Sequence, residues 1–209
     1  MRSLSVAALP SHTVPSAAGA SAPHDGVGER ANAAMDRYAR GDDAAFADVY
    51  DAVAPRIHAY LLRHARDRAK ADDLLQQTLL LIHRHRGSYS AGSPVLPWAF
   101  AIARRLYIDE FRRRRTDALW SARDLLEGDR SGSCRPDEEF ALRETTQELE
   151  AALARLPETQ RTAFDLVKIE GLSHQEAAAV LGTSVSAVKL RAFRAYAAVR
   201  GLLNRLERR

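Results

Sequence analysis

The sequence has a single cysteine, Cys134, among 209 residues. One cysteine excludes an internal disulfide and any zinc site built on several cysteines, which fits a reducing cytoplasm. Long apolar runs are also missing, since no stretch approaches the roughly 18 residues that a membrane span requires. Residues 1–28 have neither a strongly charged start nor a long apolar core, so no signal peptide is predicted. We expect a soluble protein without a membrane span.

Sequence signatures of catalysis are absent as well. There is no glycine-rich phosphate loop followed by Lys and Ser or Thr, and no Gly-x-Ser-x-Gly nucleophile turn. His83 and His85 stand two positions apart, so on a helix they face different directions and make a poor metal pair. Residues 26–31 formally match a dinucleotide-binding fingerprint, but no strand precedes them and no βαβ unit follows. We therefore predict that the chain is not an enzyme and takes no cofactor, metal or small-molecule substrate.

Alternating β-branched stretches are missing too, and from Ala31 onward the apolar residues repeat with helical spacing. This pattern predicts an all-α protein of two small helical domains. Residues 1–30, rich in Ala, Ser, Pro and Gly, are predicted to be a disordered extension. The first domain spans residues 31–116, a flexible acidic linker spans 117–139, and the second domain spans 140–209.

Helix-breaking and helix-capping residues divide the apolar pattern of the first domain into separate predicted helices. A helix capped near residue 42 is predicted to end where Pro55 opens the next one. Another helix covers about residues 71–85, and residues 87–97, with two glycines, two prolines and three serines, are predicted to form a loop. Pro97 suits the first turn of the long helix that follows.

Charge alternates along the chain. The formal net charge is +4 and the isoelectric point is about 9.5, which favours an anionic partner. Residues 104–115 carry a net charge of +4, residues 116–150 carry −6, and residues 189–209 carry +6. Two basic segments are therefore separated by an acidic one.

The long helix after Pro97 has two predicted faces. A core stripe is made by Trp98, Ala99, Ile102, Ala103 and Leu106. The opposite face is both aromatic and basic, with Phe100, Arg104, Tyr107, Ile108 and Phe111 leading into four consecutive arginines. Arginine binds phosphate and aromatic rings stack on unpaired bases, so this face suits a single strand of nucleic acid. The alternative is that the aromatic residues are core and the arginines form a solvated helix end.

Residues 172–200 predict a helix-turn-helix. Ser173 and Glu176 form a capping box, so a helix begins at His174. Gly182 supplies the left-handed residue that ends this helix, and residues 183–184 cap the second one. Two short helices joined by a glycine turn are the layout of this DNA-binding motif.

The second helix of the motif also has two faces. Its core stripe consists of Val188, Ala192, Ala195, Val199, Leu202 and Leu206. On the opposite side stand Ser186, Lys189, Leu190, Phe193 and Arg194, with Arg191 at the margin. Such a face suits the DNA major groove, whereas a helical hairpin with a solvated basic face is the alternative.

Two blocks of the sequence resemble one family, the small extracytoplasmic-function sigma subunits of bacterial RNA polymerase, within the sigma-70 family. In the first block, about residues 42–116, ADDLLQQT resembles the polymerase-docking helix. Trp98 with Ile-Ala, Ile-Asp and a run of arginines resembles the promoter-melting helix. In the second block, about residues 148–203, GLSHQEA and LGTSVSAVKLR resemble the promoter-reading domain. The resemblance implies a helical bundle of sigma region 2 type and a four-helix helix-turn-helix domain of sigma region 4 type.

The resemblance implies a transcription initiation factor that binds core RNA polymerase, directs it to promoters and helps to melt the DNA through binding energy alone. Polymerase docking would use Asp72, Asp73, Gln76 and Gln77. The upstream duplex element would be read by Ser184, Ser186, Lys189, Leu190, Arg191, Phe193 and Arg194. The melted nontemplate strand would be bound by Tyr89, Trp98, Phe100, Arg104, Arg105, Tyr107, Asp109, Arg112 and Arg113. The loop of residues 87–97 would receive a flipped base.

Regulation is also implied by the resemblance. The protein would act in the bacterial cytoplasm in a stress response, restrained by an anti-sigma factor that could hold it at the membrane. Cys134 in the linker would be either a redox handle or an incidental thiol. Two other classes of protein stay open at this point: a conventional helix-turn-helix regulator that acts without polymerase docking, and an inactive sigma-like decoy.

The sequence also departs from the family's pattern. Arg105 replaces a common asparagine, and Gln77 replaces a common acid. The second helix of the motif departs at three positions. Leu190 replaces a residue that is usually small or polar, Phe193 replaces a histidine, and Tyr196 replaces an arginine. We expect Phe193 or Leu190 to contact a thymine methyl group.

Overall fold

The computed structural model describes residues 25–121 and 155–206, and every regular element in these two ranges is helical. The helices are α1 (Asp25–Ala39), α2 (Phe46–Ala65), α3 (Arg68–His85), α4 (Val95–Ser121), α5 (Glu158–Phe164), α6 (His174–Leu181) and α7 (Val185–Leu206). Two 3₁₀ turns, Asp43–Ala45 and Arg86–Ser88, and a π-helical turn, Asp165–Ile169, join them. The predicted all-α class is confirmed. None of these helices is long and apolar enough to cross a membrane.

Helices α1 to α4 form the first domain around one apolar core. Helix α2 packs on α1, α3 and α4, and α4 also contacts α1 and α3. The largest fully buried side chains of this domain are Met35, Tyr38, Ile57, Tyr60, Leu61, Ile82 and Phe100. Each such side chain stabilises the fold by roughly 1.5–3 kcal/mol through removal from water, so the bundle is held mainly by its interior.

Helix α2 runs unbroken through Pro55, so the prediction that this proline opens a new helix is wrong. Proline has no N–H and omits one hydrogen bond of the helix. Pro55 lies on the exposed side, however, while Val53, Ala54 and Ile57 are buried on the inner side. Packing of the inner face therefore keeps both halves of the helix in line.

Helix α3 begins at Arg68, because the carboxylate of Asp67 accepts the N–H of Lys70 at 3.2 Å and caps it.

The connection between α3 and α4 is shorter than predicted. Helix α4 begins at Val95, with Pro97 inside its first turn. The irregular loop between the 3₁₀ turn and α4 is thus residues 89–94.

The helix-turn-helix of the second domain has its predicted bounds. The N–H of Ser173 donates to Glu176 Oε2 at 2.8 Å, and the N–H of Glu176 donates to Ser173 Oγ at 3.2 Å. Gly182 has φ of 61°, and Ser184 caps α7 by accepting the N–H of Ala187 at 3.2 Å. On the core side of α7, Val188, Ala192, Ala195 and Val199 are buried. The side chains of Leu202 and Leu206 lie outside the described set.

Two predicted domain boundaries differ from the helix ends in the structure. Residues 25–30 belong to α1, although they were predicted to lie in the extension. Residues 117–121, predicted as linker, belong to α4. Residues 1–24, 122–154 and 207–209 lie outside the described ranges, and with them Cys134 and most of the predicted first helix of the second domain.

The two domains contact each other directly. Helix α6 packs on α4, and the π-helical turn Asp165–Ile169 lies against α2 through polar side chains. Buried apolar residues of both domains form one continuous cluster. This contact decides which faces of α4 are open to solvent.

Candidate nucleic-acid interface

Helix α7 presents one exposed face to solvent. Opposite its buried stripe, Leu190 is 49% exposed and Phe193 is 68% exposed. The polar members of the predicted reading set on this face, Ser184, Ser186, Lys189 and Arg194, are exposed as well. Two bare apolar side chains among cations make a surface that can accept both phosphate and thymine methyl groups.

Arg191, the seventh member of the predicted reading set, differs from the other six. It is only partly exposed and lines a cavity at the contact between the domains, together with Arg104, Arg112 and Glu158. Its side chain therefore lies at the edge of the reading face, on the side toward α4.

The aromatic residues at the start of α4 pack on the loop. Tyr89 is buried, its ring centre lies 5.4 Å from that of Trp98, and its hydroxyl donates to the carbonyl of Ser93. Trp98 is half-buried. Tyr89, predicted to bind the melted strand, is therefore enclosed in this conformation, whereas part of the Trp98 ring remains accessible to solvent.

Phe100 and Tyr107 do not form the accessible aromatic face that the sequence predicted. Phe100 is fully buried in an edge-to-face contact with the Tyr60 ring, at 5.4 Å between centres. Tyr107 is 8% exposed, and its hydroxyl donates to the carbonyl of His64 at 3.4 Å. Because α4 is packed against α2 on one face and α6 on another, the aromatic residues of both faces are enclosed. The alternative interpretation, that these two rings are core, is the correct one.

The accessible part of the predicted strand-binding set is therefore mainly basic. Arg105, Asp109, Arg112 and Arg113 are exposed and Arg104 is partly exposed. Arg105 and Asp109 lie 3.9 Å apart, and Arg113 pairs with Glu110. Phe111, one turn beyond Tyr107, is 50% exposed and remains available for stacking on a base.

The predicted docking residues lie together at the N-terminal half of α3. Asp73, Gln76 and Gln77 are exposed, whereas Asp72 is partly exposed and accepts a hydrogen bond from His58 Nε2 at 2.8 Å. Leu80, one turn after Gln76, is 47% exposed and extends this face with an apolar side chain. Sequence reasoning missed Leu80 because it stands among leucines that pack inward.

Comparisons with known proteins cover both domains. The region 2 model of the sigma-70 family matches residues 49–116, and its region 4 model matches residues 146–199. The chain is 38% identical to the RNA polymerase sigma factor CarQ of Myxococcus xanthus over 83% of this chain and 97% of that protein. It is 35% identical to the ECF RNA polymerase sigma factor SigF of Caulobacter vibrioides, over 85% and 96%. The chain belongs to the extracytoplasmic-function sigma factors.

Solved structures resemble this sigma factor over most of its length. The sigma factor RpoE of Bartonella quintana, in complex with the anti-sigma factor NepR, gives a TM-score of 0.63 at 26% identity and covers 76% of this chain and 96% of its own. CnrH, in complex with the cytosolic domain of CnrY, gives 0.56 at 26% identity and covers 84% and 97%. Members of this family are transcription initiation factors.

A buried polar cluster joins the two domains of this sigma factor. His64 Nε2 donates to Asp165 Oδ2 at 2.9 Å, and Arg63 Nη2 lies 2.8 Å from Asp165 Oδ1. Arg63 and Arg56 also bind Glu170, whose carbonyl accepts a second hydrogen bond from Arg56. Asp165 and Glu170 are 3% and 6% exposed, so both carboxylates have lost most of their contact with water. The cationic and hydrogen-bonding partners from α2 compensate for this lost hydration.

The electrostatics of this cluster favour the charged form of Arg63. Burial lowers its pKa, but the ion pair with Asp165 and the hydrogen-bonded ion pair with Glu170 outweigh burial and raise the pKa above its usual value. The sequence carries one signal of this cluster. Two acids, Asp165 and Glu170, flank the mainly apolar stretch Leu-Val-Lys-Ile of residues 166–169, at positions that a packed helix end does not ordinarily bury.

Proposed function

We propose that this sigma factor binds core RNA polymerase, reads an upstream promoter element as duplex DNA with α7, and captures melted nontemplate strand with the loop of residues 89–94 and the exposed arginines of α4. It acts by binding, with no catalytic step of its own. Domain order and charge support this division, because a duplex reader and a strand binder both need basic surfaces. A regulator that works without polymerase is disfavoured by membership of the family.

One observation carries the proposal for α7. Phe193 is 68% exposed beside the 49% exposed Leu190, on the side of α7 away from its buried stripe. Exposed apolar side chains of this size on a folded domain mark an interaction surface. Lys189 and Arg194 on the same face supply cations for the flanking phosphates, so duplex DNA is the partner that fits.

The test of α7 uses reconstituted holoenzyme and transcription from a genomic library. Phe193→Ala and Leu190→Ala should change the base preferred at the upstream element, and each should lower promoter affinity by roughly 1–3 kcal/mol, the value of a specific base contact. Lys189→Ala should weaken all promoters alike and reduce the salt dependence of binding. Tyr50→Ala, at an exposed aromatic residue of the first domain, is the control. Unchanged affinity and preference with Phe193→Ala and Leu190→Ala would contradict the proposal.

The docking surface is proposed to be Asp73, Gln76, Gln77 and Leu80 of α3, with Asp72 beside it. Leu80→Ala and Asp73→Ala should weaken binding to core polymerase, measured directly by titration, without altering the promoter preference of the complexes that remain. Tyr50→Ala on α2, also an exposed large side chain, serves as the matched control. If both docking variants bind core polymerase with wild-type affinity, this surface is not the one used.

Binding of the isolated chain to DNA separates the proposed function from the regulator class. A sigma factor should occupy promoters tightly only together with core polymerase, whereas a conventional regulator should occupy them alone. Since the solved RpoE of Bartonella quintana is held by an anti-sigma factor, we also propose that a protein inhibitor of that class binds this chain. Such an inhibitor should block core binding in competition assays.

A further inference from the structure

Two side chains of α1 hold the backbone of the loop between α3 and α4. The N–H of Gly92 donates to both carboxylate oxygens of Asp36, at 3.0 and 3.3 Å, and the N–H of Val95 donates to Asn32 Oδ1 at 2.9 Å. Asn32 and Asp36 are four residues apart, so they lie on the same face of α1. Helix α1 therefore fixes the end of the loop across more than fifty residues of sequence.

Both hydrogen bonds act where the backbone has few other partners. Val95 is the first residue of α4, and the N–H groups of a first helical turn have no acceptor within their own helix. Gly92 has φ of 77°, a left-handed conformation that other residues rarely adopt. Asn32 thus caps α4 from another helix, and Asp36 fixes the turn that the N–H of Ser93 closes on the carbonyl of Ser90 at 3.1 Å.

A third residue of α1 fixes the start of the connection. Tyr38 is buried, and its hydroxyl shares a hydrogen bond with His83 Nδ1 at 2.5 Å. The guanidinium carbon of Arg86 lies 4.8 Å from the centre of the Tyr38 ring, and Arg86 also pairs with Asp43. Both ends of the connection are therefore tied to the same helix.

The loop has a buried underside and an open outer side. The ring of Tyr89 lies beneath it against Trp98, and the Tyr89 hydroxyl donates to Ser93. Burial and the nearby charge of Asp36 raise the pKa of Tyr89, so its hydroxyl remains a donor. Residues 90–92, with small side chains, are exposed on the outer side. A fixed backbone with an open outer side can receive a base without first being ordered.

We propose that Asn32 and Asp36 are positioning residues for capture of the melted strand, because they hold residues 89–94 in the conformation that receives an unpaired base. This inference rests on the proposed function, in which that loop contacts nontemplate strand. A loop released from α1 would lose conformational entropy on binding, which weakens the complex. Both residues precede the segment matched by the region 2 model, residues 49–116, so family membership alone gives them no role.

The experiment uses the full chain in holoenzyme on a duplex promoter selected by the wild-type protein. Strand opening is followed by permanganate reactivity of unpaired thymines. Affinity and base preference are followed with fluorescent single strands that carry the nontemplate sequence and its single-base changes. Core binding and thermal unfolding are measured for every variant, so that folding and docking defects are separated from strand capture.

Asn32→Ala and Asp36→Ala remove the two acceptors. We expect each to lower single-strand affinity about threefold to tenfold, the effect of one lost hydrogen bond, and to flatten the preference between bases while core affinity stays within twofold. Asn32→Asp and Asp36→Asn each keep an oxygen acceptor and should restore both readouts. Glu29→Ala, an exposed carboxylate on the same helix, should behave as wild type.

Three results would contradict the role proposed for Asn32 and Asp36. If the alanine variants lose thermal stability but keep wild-type base preference and strand affinity, Asn32 and Asp36 are structural only and the inference is wrong. If the conservative variants are as defective as the alanine variants, the oxygen acceptors are not what matters, and the inference is again wrong. If wild-type holoenzyme opens no promoter, the proposed function fails and the inference fails with it.

Discussion

Asp165 is a carboxylate at the contact between the domains, 3% exposed, with His64 Nε2 at 2.9 Å and Arg63 Nη2 at 2.8 Å. A buried carboxylate remains charged only when donors and cations replace its lost hydration. Within the described residues, the other ring nitrogen of His64, Nδ1, is buried and has no partner. Nε2 is therefore the ring nitrogen of His64 that donates to Asp165.

Asp165→Ala should lower the free energy of unfolding by about 3 kcal/mol, because it leaves the partly buried Arg63 guanidinium short of a counter-charge. Asp48→Ala is the control, since Asp48 pairs with Arg37 on an exposed surface where such a pair contributes less than about 1 kcal/mol. Urea titration of both variants gives the comparison, with the slope checked for constancy. Equal losses in the two variants would show that the cluster does not stabilise the protein.

Because the Tyr60 hydroxyl is buried, we expect the protein to lose stability at alkaline pH. Burial and then the charge of Asp165 raise the pKa of this hydroxyl. Since the folded-state pKa exceeds the unfolded value of about 10, this stabilisation is complete below pH 10 and is lost as the pH rises further. Tyr60→Phe keeps the ring contacts with His64 and Phe100, at 4.4 and 5.4 Å, and removes the ionisation.

Unfolding free energies measured from pH 8 to 11.5 test this expectation. The decline of wild-type stability above pH 10 should be steeper than that of Tyr60→Phe, and Tyr50→Phe, altered at an exposed ring, should follow the wild type. The raised pKa values of Tyr89 and Tyr107 leave some decline in every variant. Parallel curves for Tyr60→Phe and wild type would rule out the assigned role of Tyr60.

The helix ends show which elements could be predicted from sequence. The bounds of α6 and the start of α7 followed from Ser173, Glu176, Gly182 and Ser184, because caps and left-handed glycines act through neighbouring backbone groups. The course of α2 did not follow from Pro55, because its continuity depends on residues that pack against other helices. Signals that act within four residues are readable from sequence, and those that depend on distant partners are not.

At the scale of single helices, alanine substitutions of two glycines should change the stability of the protein in opposite directions. Gly182 has φ of 61° with open space around its Cα, so Gly182→Ala costs about 1 kcal/mol from backbone strain alone. Gly28 lies inside α1, also with open space, so Gly28→Ala should stabilise by up to about 1 kcal/mol. Thermal unfolding of the two variants checks both signs. A stabilised Gly182→Ala would mean that the turn of the helix-turn-helix is not left-handed.

The candidate site could be predicted in part. The open side of α7 followed from helical periodicity, because that helix is covered on one side only. Phe100 and Tyr107 were misplaced because periodicity finds the faces of a helix without saying how many of them a neighbour covers. Helix α4 is enclosed by α2 and by α6, and α6 begins more than fifty residues after α4 ends.

At the scale of the whole molecule, the two domains are joined by more than a linker. Arg56, Arg63 and His64 of α2 reach Asp165 and Glu170 across more than one hundred residues of sequence. Side-chain patterns within each domain carry no information about such a pairing. The separate domains predicted from the sequence therefore share a contact that composition and spacing could not reveal.

This contact should couple the unfolding of the two domains. Because buried charges on each side depend on partners from the other, unfolding of either domain removes those partners and destabilises the domain that remains folded. Wild-type protein should therefore show one calorimetric transition, with a calorimetric enthalpy equal to the van't Hoff enthalpy. Arg63→Ala removes the cation that binds both Asp165 and Glu170, and its calorimetric enthalpy should exceed the van't Hoff value as the transition separates into two.

Arg37→Ala is the matched control for this calorimetry. Arg37 pairs with Asp42 and Asp48 inside the first domain, on an exposed surface, so its loss should leave a single transition. Two transitions in the wild type would show that the domains unfold independently and that the cluster around Asp165 does not join them. A single transition in wild type and Arg37→Ala, and a divided one in Arg63→Ala, is the result that the buried ion pairs require.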